Sequence, residues 1–300
     1  MDNWGLFGRK LRSIRKELCQ TQERFCDGIC SLRQYKRIES GTNEPTLFVL
    51  DSLSSKYNLD FFTIYKKAER SNSDNDFSFI NEMNDAIDLQ DVKRIEELIS
   101  KYSDSFDSMG LYSKMLWYYG KSLCEEDTDI SIDYAITGLR YELPDNPGNH
   151  ESFLQVKVYS NIGLCLLNRI AFNYIKKENY SLAILIYKHI IQCIESLLSF
   201  SSKLYQSTKF IFEFYPSVIS NLCVLLLSDG NLEEALVYVN KGIEYLCKMN
   251  NSKQLHILLW RKYKILAAMG DIEAADEVYN SFRVICELFN QKEYLAGRPK

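Results

Sequence analysis

"TQERFCDGICSLRQYKRIESG", residues 21–41, is the stretch on which the reading of this chain turns. Thr21 suits the N-cap of a short helix opening at Gln22, because its hydroxyl can accept from backbone N–H groups that lack a partner in a first helical turn. Gly28 breaks that helix. Ser31 is the next cap, and a third helix follows from Leu32 through Arg33, Gln34, Tyr35, Lys36, Arg37 and Ile38 to Glu39. Gly41 ends it, with Pro45 beyond. Upstream, Leu6, Phe7, Leu11, Ile14 and Leu18 recur at intervals of mostly three and four, with Arg9, Lys10, Arg12, Arg15 and Lys16 between them, which predicts an amphipathic helix over 6–18. Downstream, Thr46 can cap a fourth helix carrying Leu47, Val49, Leu50, Leu53 and Tyr57, and a fifth covers 59–65. Five short helices then make one small bundle.

Short helix, glycine turn, short basic helix is helix-turn-helix order. A helix fits the DNA major groove, forked side-chain donors on its first turns reach base edges, and a neighbouring helix N-terminus aims N–H groups at phosphate. Residues 11–47 also resemble the Xre/Cro-type helix-turn-helix family. The matching pieces are "LRSIRKELCQTQERF" (11–25) and "YKRIESGTNEPTL" (35–47), with Thr21–Gln22 and the Ile38, Glu39, Gly41 set at that family's most characteristic positions. The turn "DGICS" (27–31) is one residue shorter than usual there and is similar to the PlcR branch of the peptide-sensing regulators. The resemblance implies that Gln22 holds a phosphate and that Ser31, Leu32, Arg33, Gln34, Lys36 and Arg37 stand at the groove or its walls. Arg33 is then the candidate for a guanine and Gln34 for an adenine. Glu39 becomes a structural partner of Arg15. A basic bundle that binds protein is the alternative reading.

Charge distribution agrees with a polyanion partner. Residues 1–70 hold 13 Lys/Arg against 9 Asp/Glu, whereas the other 230 hold 23 against 31. No long uninterrupted apolar run and no apolar leader core is visible, so a cytoplasmic protein without membrane contact is expected. The nine cysteines are odd in number and scattered, which reads as reduced core thiols. His150, His189 and His256 are isolated, and neither a phosphate-binding glycine loop nor a nucleophile elbow appears. No cofactor, metal or enzyme activity is expected.

The polar run Ser71-Asn72-Ser73-Asp74-Asn75-Asp76 reads as a linker between a 1–70 domain and a 77–290 domain, with 291–300 as a tail. Internal similarity marks the second domain. "DGNLEEALVYVNKGIEYL" (229–246) and "MGDIEAADEVYNSFRVI" (269–285) each combine a glycine turn, a polar cap, an acidic first turn, an alanine and an apolar stripe. Weaker copies are "KENYSLAILIYKHII" (177–191) and "DTDISIDYAITGLRY" (127–141). Ala135, Ala183, Ala235 and Ala275 are the small residues expected to let paired helices approach. The pattern resembles tetratricopeptide repeats. The expected fold is all-α: a five-helix Xre/Cro-type domain, then a right-handed α-solenoid of about five helix pairs.

A solenoid leaves a concave groove lined by the first helix of each pair. "VYSNIGLCLL" (158–167) and "VISNLCVLLL" (218–227) both set Ser-Asn in an apolar run, where asparagine is a poor helix former. The repeat resemblance implies that Asn161 and Asn221 clamp the backbone of an extended peptide through their amides; an interhelical hydrogen bond is the alternative. Tyr118, Arg169, Lys176, Lys209, Tyr215 and Lys264 are further groove candidates. The joint layout resembles the Rgg/PlcR/PrgX group of transcription regulators. That implies a homodimer on a two-fold-related double-stranded DNA operator, controlled by a short signalling peptide; a partner protein in place of the peptide is the alternative.

Overall fold

The computed structural model describes residues 4–144, 150–200, 209–249, 252, 254–289 and 291. The tail expected at 291–300 falls outside them except for Gln291. Every regular element among the described residues is helical. In order they are α1 (Trp4–Glu17), α2 (Gln22–Cys26), α3 (Leu32–Glu39), α4 (Leu47–Tyr57), α5 (Phe61–Arg70), α6 (Asp74–Asp88), α7 (Val92–Lys101), a 3-10 segment (Ser103–Ser108), α8 (Leu111–Cys124) and α9 (Thr128–Glu142). They continue with α10 (His150–Phe153), α11 (Asn161–Lys176), α12 (Tyr180–Phe200), α13 (Lys209–Ser228), α14 (Leu232–Lys248), α15 (Leu255–Met269) and α16 (Ile272–Leu288). The chain divides into two compact units, one of Met1–Glu126 with Asp133–Pro144, the other of Asp127–Ile132 with Asp145–Lys300.

In the first unit, Thr21, Ser31 and Thr46 each cap a helix by accepting from the backbone N–H three residues on, at 3.2, 3.2 and 3.3 Å. Phe7, Leu11, Phe25, Tyr35, Ile38, Leu50, Leu53 and Phe61 form the core of α1–α5. Helix α1 crosses the end of α3 through glycines. A Cβ on Gly8 would lie 2.6 Å from the Glu39 carbonyl oxygen, and one on Gly41, whose φ is +73°, would lie 2.4 Å from the Gly5 Cα.

The run expected as a linker is folded. Ser73 caps α6, Asp74 pairs with Arg9 (3.1 Å) and Lys10 (3.2 Å), and Ser71 is buried. Asp76 is buried and accepts from the Asn72 and Gly110 N–H groups at 2.7 and 2.8 Å. The residue types that make a flexible linker also make a capped first turn, and composition alone does not separate the two.

In the second unit α11–α12, α13–α14 and α15–α16 are pairs joined by tight turns, each packed on the next. One turn recurs through the chain. Gln90, Glu178, Gly230 and Gly270 have φ of +55°, +59°, +78° and +82°. The Asp or Asn after each donates its N–H to a carbonyl five residues back: Asp91 to Ala86, Asn179 to Tyr174, Asn231 to Leu226 (all 2.9 Å) and Asp271 to Leu266 (3.1 Å). This is a left-handed helix stop followed at once by a new helix start. Ala183, Ala235 and Ala275 lie four residues past the turn's Asn or Asp and are buried. In α9 the capping residue is Asp127, so the buried equivalent is Ser131, and Ala135 lies one helical turn further on. The small residue at this point of the turn is therefore Ser131, not Ala135 as the sequence spacing suggested.

Windows in α12 (Tyr180–Leu198) and α13 (Phe210–Ser228) are long and apolar enough to cross a membrane by length and composition. The expectation from uninterrupted runs missed them, because scattered polar residues barely lower a helix average. Their buried faces, with Ile190, Ile194, Ile219, Leu222 and Leu226, belong to the core of the second unit. Pro216 lies inside α13.

Candidate nucleic-acid interface and groove residues

Arg33, Lys36 and Arg37 project from α3 into solvent and, with Leu32 and Ser40, line a surface depression of about 560 Å³. Ser31 sits at the helix start with its hydroxyl on the Gln34 N–H. Gln34 is half-buried, and Leu32 packs partly against the core, so this leucine divides its surface between core and depression.

The helix is fixed from behind. Glu39 is buried at 7% exposure and takes both arms of the Arg15 guanidinium, Nε at 2.8 Å and Nη2 at 2.9 Å. The Gln22 amide donates to the same carboxylate at 3.0 Å, and Arg15 also holds the Gln20 carbonyl at 2.8 Å. Burial alone would raise the Glu39 carboxyl; the hydrogen bonds from Arg15 and Gln22 oppose it, and the group is held below the ordinary glutamate value. Gln22, expected at a phosphate, therefore has its amide nitrogen committed inside the bundle.

The turn between α2 and α3 has a clasp that sequence reading missed. The Lys56 ammonium donates to the carbonyls of Arg24 (3.0 Å) and Asp27 (2.9 Å), and the Tyr57 hydroxyl donates to that of Phe25 (2.9 Å). About thirty residues separate the partners, so no local pattern announces them.

The groove candidates take varied positions. Asn161 is not inside a helix: Ser160 caps α11, and Asn161 is its exposed first residue. A first-turn asparagine carries little helix penalty, so the argument from poor helix propensity fails there. Asn221 is inside α13, half-buried, against the Tyr187 hydroxyl of α12. Burial raises that phenol to about 12 and Asn221 opposes the rise. Arg169 donates to the Ser131 hydroxyl at 3.3 Å and lies 5.5 Å over the Phe172 ring, where Lys176 also lies at 5.3 Å. Lys264 sits 4.9 Å over Trp260. Tyr215 is buried, with its hydroxyl on Glu195 at 2.9 Å. Tyr118 is in the first unit, among Phe106, Tyr134 and Tyr141. Helix α13 opens at Lys209, whose side chain lies outside the described structure.

Sequence reading also missed Arg261, which donates to the Ser220 hydroxyl at 3.0 Å as Arg169 does to Ser131. The signal was present: Leu-Leu-x-Arg occurs at 166–169 and again at 258–261. Among the described residues no group of His, Cys, Asp and Glu could hold a metal ion, and all nine cysteines are free.

Short helices presenting an exposed basic third helix, followed by helix pairs joined through a repeated turn, define an all-helical fold. It is the fold of the Rgg/PlcR-type peptide-sensing transcription regulators. The chain is similar to Bacillus thuringiensis PlcR in complex with the peptide PapR7 and DNA, at a TM-score of 0.59 and 20% identity, covering 97% of this chain and 99% of that one. It is also similar to the Streptococcus dysgalactiae SHP pheromone receptor Rgg2, at 0.55 and 14%, covering 98% and 99%. No protein-family model matches the chain, and no curated protein matches it.

Proposed function

We propose that this chain is a cytoplasmic, non-enzymatic transcription regulator whose DNA binding is set by a short signalling peptide. The single observation that carries the reading is α3 itself. Its Arg33, Lys36 and Arg37 are exposed and its opposite side is anchored by the Arg15–Glu39–Gln22 network. A rigid helix with free cations on one side is what major-groove reading requires. In this reading residues 1–70 are an Xre-type helix-turn-helix reader. Residues 77–290 are tetratricopeptide-like repeats that bind the peptide and join two copies on a two-fold-related operator. Asn221, Arg169, Lys176 and Lys264, all in the second unit, are the groove residues, with Tyr215 as a supporting aromatic. The likeness in fold to a regulator described with a peptide and DNA supports the assignment over nearly the whole chain.

The test is fluorescence anisotropy of the purified protein on a duplex selected from random sequence, at fixed salt, with and without a small-peptide fraction from the producing culture. The expected result is salt-dependent binding that the fraction shifts and that protease treatment of the fraction restores. Tight duplex binding with no shift favours repeats that take a partner protein. Absence of specific binding in either arm overturns the reading.

A further inference from the structure

In the second unit the first helices of the three pairs are basic and the second helices acidic. Helices α11, α13 and α15 carry six Lys/Arg against one acid, Glu213, whereas α12, α14 and α16 carry four against eight. The second helices neutralise much of their charge among themselves, with Lys188 on Glu234 at 2.7 Å, Lys241 on Glu195 at 3.1 Å and Lys248 on Glu244 at 2.6 Å. Helices α11 and α15 hold no carboxylate of their own. Positive helices that alternate with acidic ones favour an anionic group on their side of the repeats.

Arg261 of α15 is where that charge is least compensated. Its Nε donates to the Ser220 hydroxyl of α13 at 3.0 Å, and its two terminal nitrogens have no partner among the described residues. Arg261 is half-buried and Ser220 is buried, so water makes up for the missing acceptors only in part. Burial lowers the guanidinium from the ordinary arginine value, whereas the hydrogen bond to Glu39 holds Arg15 above it. Arg15 commits Nε and Nη2 to one carboxylate. In Arg261 the serine fixes Nε alone, which leaves the outer fork preset for a planar acceptor with two oxygens. Asn221 follows Ser220 on α13, and Lys264 stands about one turn along α15 from Arg261.

We propose that Arg261 receives a carboxylate of the bound peptide, so that this regulator answers to a peptide presenting one to α15, at its C-terminus or on an Asp or Glu side chain. The inference rests on the peptide reading above and names the group the peptide must bring. The carboxylate accepts from both outer nitrogens of Arg261, and Lys264 adds charge without fixed geometry. A half-buried guanidinium has already lost part of its water, so the arriving carboxylate replaces hydration that folding removed. A peptide carbonyl in the same place accepts a hydrogen bond but leaves the charge uncompensated.

Random hexapeptides test it, in mixtures with a free C-terminus or a C-terminal amide, each made with and without Asp and Glu. Every mixture is passed over the immobilised full chain, and retained peptides are quantified by mass spectrometry. Retention should be at least about tenfold lower from the mixture with no carboxylate at all than from the others. Retention from the amide mixture with Asp and Glu assigns the carboxylate to a side chain. Retention from the free-terminus mixture without them assigns it to the C-terminus, and either result supports the proposal. Arg261→Gln removes the charge and keeps a polar amide. It should abolish the difference between mixtures without lowering the melting temperature. If it melts lower, Arg261→Lys decides: it keeps the charge but not the fork, and its carboxylate preference should fall severalfold. Retention that ignores carboxylate content, or a preference unchanged in both variants, overturns the role of Arg261 and leaves the peptide reading standing. No retention from any mixture overturns the peptide reading and this inference with it.

Discussion

Glu39 joins three helices. It ends α3, takes Arg15 from α1, and receives the amide of Gln22 from the start of α2. The Arg15–Glu39 pair was legible in the sequence through the Xre resemblance. The Gln22 contact was not, because the same resemblance assigned Gln22 outward to a phosphate. Arg15→Met leaves a buried carboxylate with fewer donors. It is expected to cost about 3 kcal/mol, the low end for breaking a buried pair, because Gln22 remains. Urea unfolding followed by far-UV circular dichroism measures it. The pH dependence follows from the same network. The Glu39 carboxyl is held below the ordinary value of 4.5, so its contribution is complete above that pH and is lost as pH falls through the lower folded value. Glu39→Gln should flatten the acid limb of the stability curve below about pH 4.5. An unchanged acid limb would remove Glu39 from the explanation.

At the scale of elements, the repeated turn shows why part of the repeat pattern was readable. Gly230 and Gly270 announce a left-handed stop, and the apolar stripe after each was recognised from them. Gln90 and Glu178 adopt the same backbone without being glycine, so the earlier copies looked weaker than they are. A side chain in that conformation costs about 1–2 kcal/mol, partly offset by the greater unfolded-state freedom of glycine. Glu178→Gly is therefore expected to stabilise the protein by about 0.5 kcal/mol, and Gly270→Ala to destabilise it by about 1 kcal/mol. Thermal melts of the two variants should move in opposite directions; the same sign for both would refute the shared-turn argument. The Lys56 clasp belongs to this scale too. It binds carbonyls at the end of α2, which also suits the negative end of that helix. Lys56→Met should cost about 1 kcal/mol, read from the same melts.

At the scale of the molecule, the question is how much of the second unit serves ligand and how much serves packing. Sequence alone could not separate these roles, because an asparagine inside an apolar helix looks the same in either. The structure divides them by position: Asn161 starts a helix, whereas Asn221 sits inside α13 in the neighbourhood of Tyr187. Arg169 and Arg261 repeat one arrangement, each tied to a serine on another helix of the second unit, and such ties fix the spacing of the repeated helices. Asn221 is half-buried, so part of the residue remains at the surface. In the proposed regulator it is the polar group of α13 that meets a peptide backbone. Asn221→Ala should then leave duplex binding by the ligand-free protein within about twofold of the parent, since every α3 cation lies in the first unit. The response to the peptide fraction should fall by about tenfold or more in the concentration required. Anisotropy titrations of parent and variant, run beside a melt, separate the two roles. A lost response with an unchanged melting temperature assigns Asn221 to the ligand. A lowered melting temperature with the peptide response intact assigns it to the α12–α13 contact and moves the search for the peptide clamp to Arg169 and Lys176.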